Sequence, residues 1–140
     1  MRILEAEEVT QEKVAEILKN AAFNISLEDS EIYINDTNFP LSLRINHEKQ
    51  FIVLYTYIPF LDDLPIEKLN EFSSDCNAEY ELVQFSNTRN TDGKNYMYGF
   101  YYMFFNFGII PQQLIFTIRE FTNSYLTALR EKDKDDLYFG

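Results

Sequence analysis

The sequence has no tryptophan, one cysteine, one histidine, four glycines and four prolines in 140 residues, with 12 basic residues against 23 acidic ones. Each scarcity removes a class of function. The lone Cys76 cannot close an internal disulfide, which favours a reducing compartment and makes the cytoplasm the expected location. One cysteine and one histidine cannot furnish a structural zinc site. The glycines Gly93, Gly99, Gly108 and Gly140 stand apart, so no backbone cradle for phosphate is expected. A net charge of -11 sets the surface against nucleic acid and anionic membrane, and neither is an expected partner. The N-terminus turns acidic at Glu5, Glu7 and Glu8 before an apolar stretch can form, so no secretory signal is expected. The triplets Asn24-Ile25-Ser26 and Asn35-Asp36-Thr37 then read as chance matches to a glycosylation acceptor.

What is present is ordinary globular composition, 46% hydrophobic and 25% charged, in a length that suits one core. The chain reads as a single domain over 1–140, with an acidic tail over about 131–140 that includes a solvated Asp133-Lys134-Asp135-Asp136. The run from Asn95 to Ile118 carries no charge and exceeds the ~20 residues of a bilayer helix. Its first half is dense in Tyr and Phe, however, and Gly108, Pro111, Gln112 and Gln113 interrupt it, so a strand followed by a helix is expected.

Helical spacing of Val14, Ile17, Leu18, Ala21 and Ala22 after Thr10 predicts a first helix with Thr10 as its cap. The period then becomes two: Phe23, Ile25 and Leu27, a break at Glu28-Asp29-Ser30, then Ile32 and Ile34. After Asp36-Thr37-Asn38, a half-buried strand is predicted from Phe39 to Ile45, and one apolar on both faces from Phe51 to Ile58. Pro65 predicts a helix start with Ile66, Leu69, Phe72 and Cys76 inward. A hairpin follows, with strands from about Glu79 to Phe85 and from Tyr96 to Phe107 around a polar Asn87–Lys94 turn. Pro111 opens a last helix with Leu114, Ile118, Phe121, Tyr125 and Leu129 on its apolar face. The order is helix, three or four strands, helix, two strands, helix: an α+β fold with an antiparallel sheet.

Catalytic constellations are thin. A Cys76–His47 dyad would need Cys76 to leave the inward face of its helix, where an inert thiol is expected. Thr88, Asn90, Asp92 and Gly93 mimic the start of a calcium loop, but Gly99 stands where the bidentate glutamate should be, so a hairpin turn is expected. Asp62-Asp63 lies where carboxylates cap a helix and favour its dipole.

Aromatic density stands out. Eight of the 23 aromatic residues fall between Tyr96 and Phe107, with Tyr96, Tyr98, Phe100, Tyr102 and Phe104 on one side of the strand and Tyr101, Phe105 and Phe107 on the other. If the helices cover one sheet face, the other presents large rings, and such patches mark interfaces. The candidate partner-binding residues are Tyr55, Tyr57, Tyr96, Tyr98, Tyr101, Tyr102 and Phe104. A small-molecule sensor with these rings lining a pocket between helices and sheet is the rival reading.

The segments Asn38-Phe39-Pro40-Leu41-Ser42-Leu43-Arg44, Tyr55-Thr56-Tyr57-Ile58-Pro59-Phe60, Leu82-Val83-Gln84-Phe85-Ser86 and Pro111-Gln112-Gln113-Leu114 together resemble the YbjN family, described as bacterial sensory transduction regulators. The likeness runs over about residues 10 to 130. The family's fold is similar to that of class I type III secretion chaperones, small acidic dimers ordered α-β-β-β-α-β-β-α with helices mainly on one sheet face. The resemblance implies a homodimeric, non-catalytic protein without cofactor or metal that binds a protein client or regulatory partner. The load of Tyr and Phe in the last strand and the Asn-rich hairpin depart from the family.

Overall fold

The computed structural model describes residues 2–37 and 39–139. Met1, Asn38 and Gly140 lie outside the described residues, and with them the start of the Asn38-Phe39 segment and the last of the isolated glycines.

A short 3-10 turn, Ala6–Glu8, leads to α1 (Gln11–Asn20), where the Thr10 hydroxyl accepts the N–H of Lys13 at 3.1 Å as a helix cap. Four strands follow: β1 (Ile25–Glu28), β2 (Glu31–Ile34), β3 (Leu41–Asn46) and β4 (Phe51–Pro59). Then come α2 (Ile66–Glu79), β5 (Gln84–Arg89), β6 (Asn95–Phe104) and α3 (Pro111–Lys132), which starts on its proline as predicted. This is the expected α-β-β-β-α-β-β-α order, with the short β1 as a further strand at one edge.

All six strands pair antiparallel in the order β1-β2-β3-β4-β6-β5. Residues of one parity face the helices: Ile32 and Ile34, Leu41 and Leu43, Ile52 and Leu54, Met97 and Phe105 are buried there with Leu18, Leu69, Phe72, Leu114, Ile118, Phe121 and Tyr125. Gly99 has no side chain where the Tyr125 ring crosses β6, and the Tyr125 hydroxyl donates to the Met97 carbonyl at 2.6 Å.

Several boundaries differ from expectation. The strand predicted from Glu79 begins only at Gln84, because α2 runs to Glu79 and the Tyr80–Val83 link carries Val83 down into the core. Its turn is shorter, with Asn90 and Lys94 bonded across it (2.9 Å) and Gly93 at φ 82°. β6 ends at Phe104; Phe105 turns inward and Phe107 lies fully exposed in the turn closed by Gly108. Pro65 is the residue before α2 rather than in its first turn, no side chain caps that helix, and Ile66 is exposed instead of inward. Asp62 and Asp63 therefore do not cap it; Asp63 sits at φ 67° in the preceding turn.

The acidic end is solvated at Lys134, Asp135 and Asp136 but not at Asp133. Asp133 is buried, and its carboxylate accepts the N–H groups of Leu137 (2.8 Å), Tyr138 (3.0 Å) and Phe139 (3.0 Å). Three donors on one carboxylate satisfy it out of water and fold the end of the chain back onto the body. The uncharged Asn95–Ile118 run divides into β6, a turn and the start of α3, and among the described residues no helix is long and apolar enough to cross a membrane.

Candidate protein-binding face

The side of the sheet opposite the helices is a pavement of rings. The register pairs Phe51 with Phe104, Val53 with Tyr102, Tyr55 with Phe100, and Tyr57 with Tyr98, all of outward parity. Tyr96 lies across from Pro59, and Tyr33 from Ser42. Neighbouring rings meet at orderly distances. Tyr57 contacts Tyr96 edge-on at 5.5 Å and Tyr98 at 5.3 Å; Tyr98 stacks on Phe100 at 5.7 Å; Phe51 meets Tyr102 and Phe104 at 5.3 and 5.8 Å. The layer buries Val53 beneath it, yet Tyr102 and Phe104 stay 46% and 65% exposed. The ten outward positions of β4 and β6 carry no charge.

Most of the hydroxyls are engaged within the chain. Tyr55 donates to Glu31 at 2.5 Å, and burial followed by that bond pushes its phenol well above the ordinary range. A hydrogen bond to the same carboxylate raises Tyr33. Tyr96 donates to Asp92 at 2.5 Å, which pushes the phenol up to about 12 and lowers the Asp92 carboxyl, whose other oxygen takes the Lys94 N–H. Tyr98 donates to Asn90 at 3.1 Å. The loop that mimics a calcium site thus spends its aspartate on the turn and the pavement.

Of the seven candidate residues, Tyr55, Tyr57, Tyr96, Tyr98, Tyr102 and Phe104 come together on this face. Tyr101 does not: the alternation of β6 turns it to the helix side, where it packs against the core. Phe51, Phe100 and Tyr33 belong to the face and escaped selection from sequence. Parity is their signal: Phe51 and Phe100 share the outward positions of β4 and β6 with chosen residues, and Tyr33 aligns with Tyr55 through Ser42. Among the described residues, the rings of this face lie on the open side of the sheet, away from the helices that a pocket of the sensor kind would need. The groove that does contain Tyr80, Phe100, Tyr101 and Tyr102 is an open one of about 450 Å³, at the edge where β6 runs past the start of β5.

Elsewhere, Cys76 is fully buried and burial pushes its thiol up to about 12, whereas His47 is exposed in the β3–β4 turn, so the two form no dyad. Among the described residues, no three His, Cys, Asp or Glu side chains gather as a metal site.

No family model matches the chain, and no curated protein matches it in sequence. Solved structures do match in fold. YbjN from E. coli, described as a candidate transcription regulator, superposes with a TM-score of 0.82 at 10% identity, covering 98% of this chain and 99% of that one. An uncharacterized protein from Methanothermobacter thermautotrophicus gives 0.65 at 16% identity over 93% and 99%, and a chain of the HopA1–SchA chaperone–effector complex gives 0.58 at 12% identity over 84% and 90%. The chain therefore has the α+β, chaperone-like fold that YbjN shares, as the sequence resemblance implied.

Proposed function

We propose that this protein is a non-catalytic, chaperone-like or regulatory binding module that works by holding another polypeptide against the ring pavement, and that a second copy is the occupant of that face in the isolated protein. The observation that carries the reading is a ring-covered sheet face whose ten outward β4 and β6 positions are uncharged and on which Tyr102 and Phe104 stay 46% and 65% exposed. Strands about 4.8 Å apart rising about 3.4 Å per residue give its β2-to-β5 portion a footprint of roughly 600 Å². Two copies face to face bury on the order of 1,200 Å², within the range of specific interfaces. A two-fold arrangement lets the same patch serve both copies, with Glu31 and Arg44 the charged residues on the outward positions of β2 and β3 at its side. The neighbours support the reading, since one is described as a regulator and another comes from a chaperone–effector complex. The acidic surface favours clients with basic segments over nucleic acid, and the lone Cys76 fits a cytoplasmic site of action.

Light scattering after size exclusion tests it. The expected mass is twice 16.6 kDa, falling to one chain in Tyr102→Ser/Phe104→Ser with the far-ultraviolet circular dichroism unchanged. A wild-type protein that stays monomeric at high concentration overturns the homodimer.

A further inference from the structure

On the helix side of the sheet, remote from the pavement, the end of the chain occupies a slot of its own. Phe60, just after β4, and Phe72 of α2 form its walls at 6.0 Å from each other. Phe139 stacks on Phe60 at 4.8 Å and 20°, and Tyr138 lies 4.4 Å from Phe72. The Leu61 N–H donates to the Tyr138 carbonyl at 2.7 Å, a bond of the kind one strand makes to another. Leu137 and Tyr138 lie in a bend, so two adjacent rings enter the slot together while one backbone bond fixes the register.

Little else retains the segment. Lys134, Asp135 and Asp136 are exposed, Leu137 is 63% exposed, and Asp136 holds φ 54°, a left-handed conformation that costs a non-glycine residue energy. The clasp is Asp133 with its three N–H donors. Phe139 also borders a separate open groove of about 210 Å³, lined in part by Ile58, Leu126 and Leu129, so one side of its ring is not packed by the slot walls.

We propose that the Phe60–Phe72 slot is a peptide-binding site whose resident ligand is the chain's own Leu137–Phe139, and that it accepts in trans a partner segment bearing two adjacent aromatic residues. The strap is then an internal competitor. A partner's apparent affinity is its intrinsic affinity reduced by the fraction of chains whose slot is open, and releasing the clasp raises that fraction.

A fluorescein-labelled peptide of residues 131–140 titrated into full-length protein tests this by anisotropy. Binding is expected to be weak to the wild type and about tenfold or more tighter to Asp133→Ala, where the clasp is gone. The full-length Tyr138→Ala/Phe139→Ala chain, whose slot is emptied with Asp133 intact, is expected to bind the peptide tightly as well, which covers the case of an unfolded Asp133→Ala. A peptide with both aromatics changed to alanine is expected not to bind. Absence of binding to the folded variants, or equal binding of the alanine peptide, overturns the proposal.

Discussion

Gly99 and Tyr125 occupy one another's space: a Cβ on Gly99 would stand 2.5 Å from the Tyr125 ring, with Val83 3.0 Å away on the other side. The chain can lay α3 directly on β6 because a strand position there is bare.

Gly99→Ala is therefore expected to cost about 1–3 kcal/mol, since neither a ring stacked on Phe85 at 5.8 Å nor the Val83 side chain can withdraw cheaply. Tyr125→Phe removes the donor to the Met97 carbonyl and is expected to cost about 1–2 kcal/mol. Urea midpoints check both. A Gly99→Ala chain as stable as wild type would mean that the helix lies looser on the sheet than the distances say.

Asn77 of α2 closes the outer edge of β5 by accepting the Phe85 N–H at 2.7 Å and donating to its carbonyl at 2.9 Å, as a neighbouring strand would. Asn77→Ala is expected to lose about 1–2 kcal/mol and to leave the edge available for pairing between chains. Concentration-dependent light scattering from the variant alone is the expected signature. Unchanged scattering would show that α2 shields the edge without Asn77.

The N-terminal clip is expected to be acid-sensitive. Arg2 donates twice to Glu8 at 2.8 Å, and that bond, followed by the Glu5 N–H at 3.0 Å, lowers the Glu8 carboxyl to about 2. An unfolded glutamate titrates near ~4.3, so the clip contributes above that pH and is lost as pH falls towards the folded value. Because the pair is exposed, the effect is local. Amide shifts of Leu4 and Ile109, which bond each other at 2.8 and 2.9 Å, are expected to report the transition. Glu8→Gln should abolish it, and a persisting transition would assign it to another group.

Cys76 is expected to resist thiol reagents at pH 8, its thiol being buried and raised to about 12. Titration of the native protein with an aromatic disulfide should release no colour until urea unfolds the chain. Rapid reaction without denaturant would show α2 opening locally.

Much of this arrangement was legible in residue order. Thr10 and Pro111 announced their helices by capping chemistry, and the apolar face of α3 from Leu114 to Leu129 emerged from its period. The double-sided β4 and the ring-bearing β6 also read correctly, because alternation is a local property. What failed depended on distant partners. Asp133 looked like one more solvated acid because its three donors come from the chain folding back behind it. Tyr80 to Val83 has the apolar texture of a strand, yet tertiary packing makes it a link that sinks Val83. Tyr101 was grouped with its ring-bearing neighbours by composition, where strict parity would have set it aside and brought Phe100 in.

The phenols of Tyr55, Tyr96 and Tyr98 already have acceptors in Glu31, Asp92 and Asn90, and this has a bearing on what the sheet can carry. An arriving chain need not match them donor for acceptor; it has only to conform to their contour. On the proposed reading, such a surface would tolerate varied lettering in whatever rests on it and leave discrimination among guests to the charged margin.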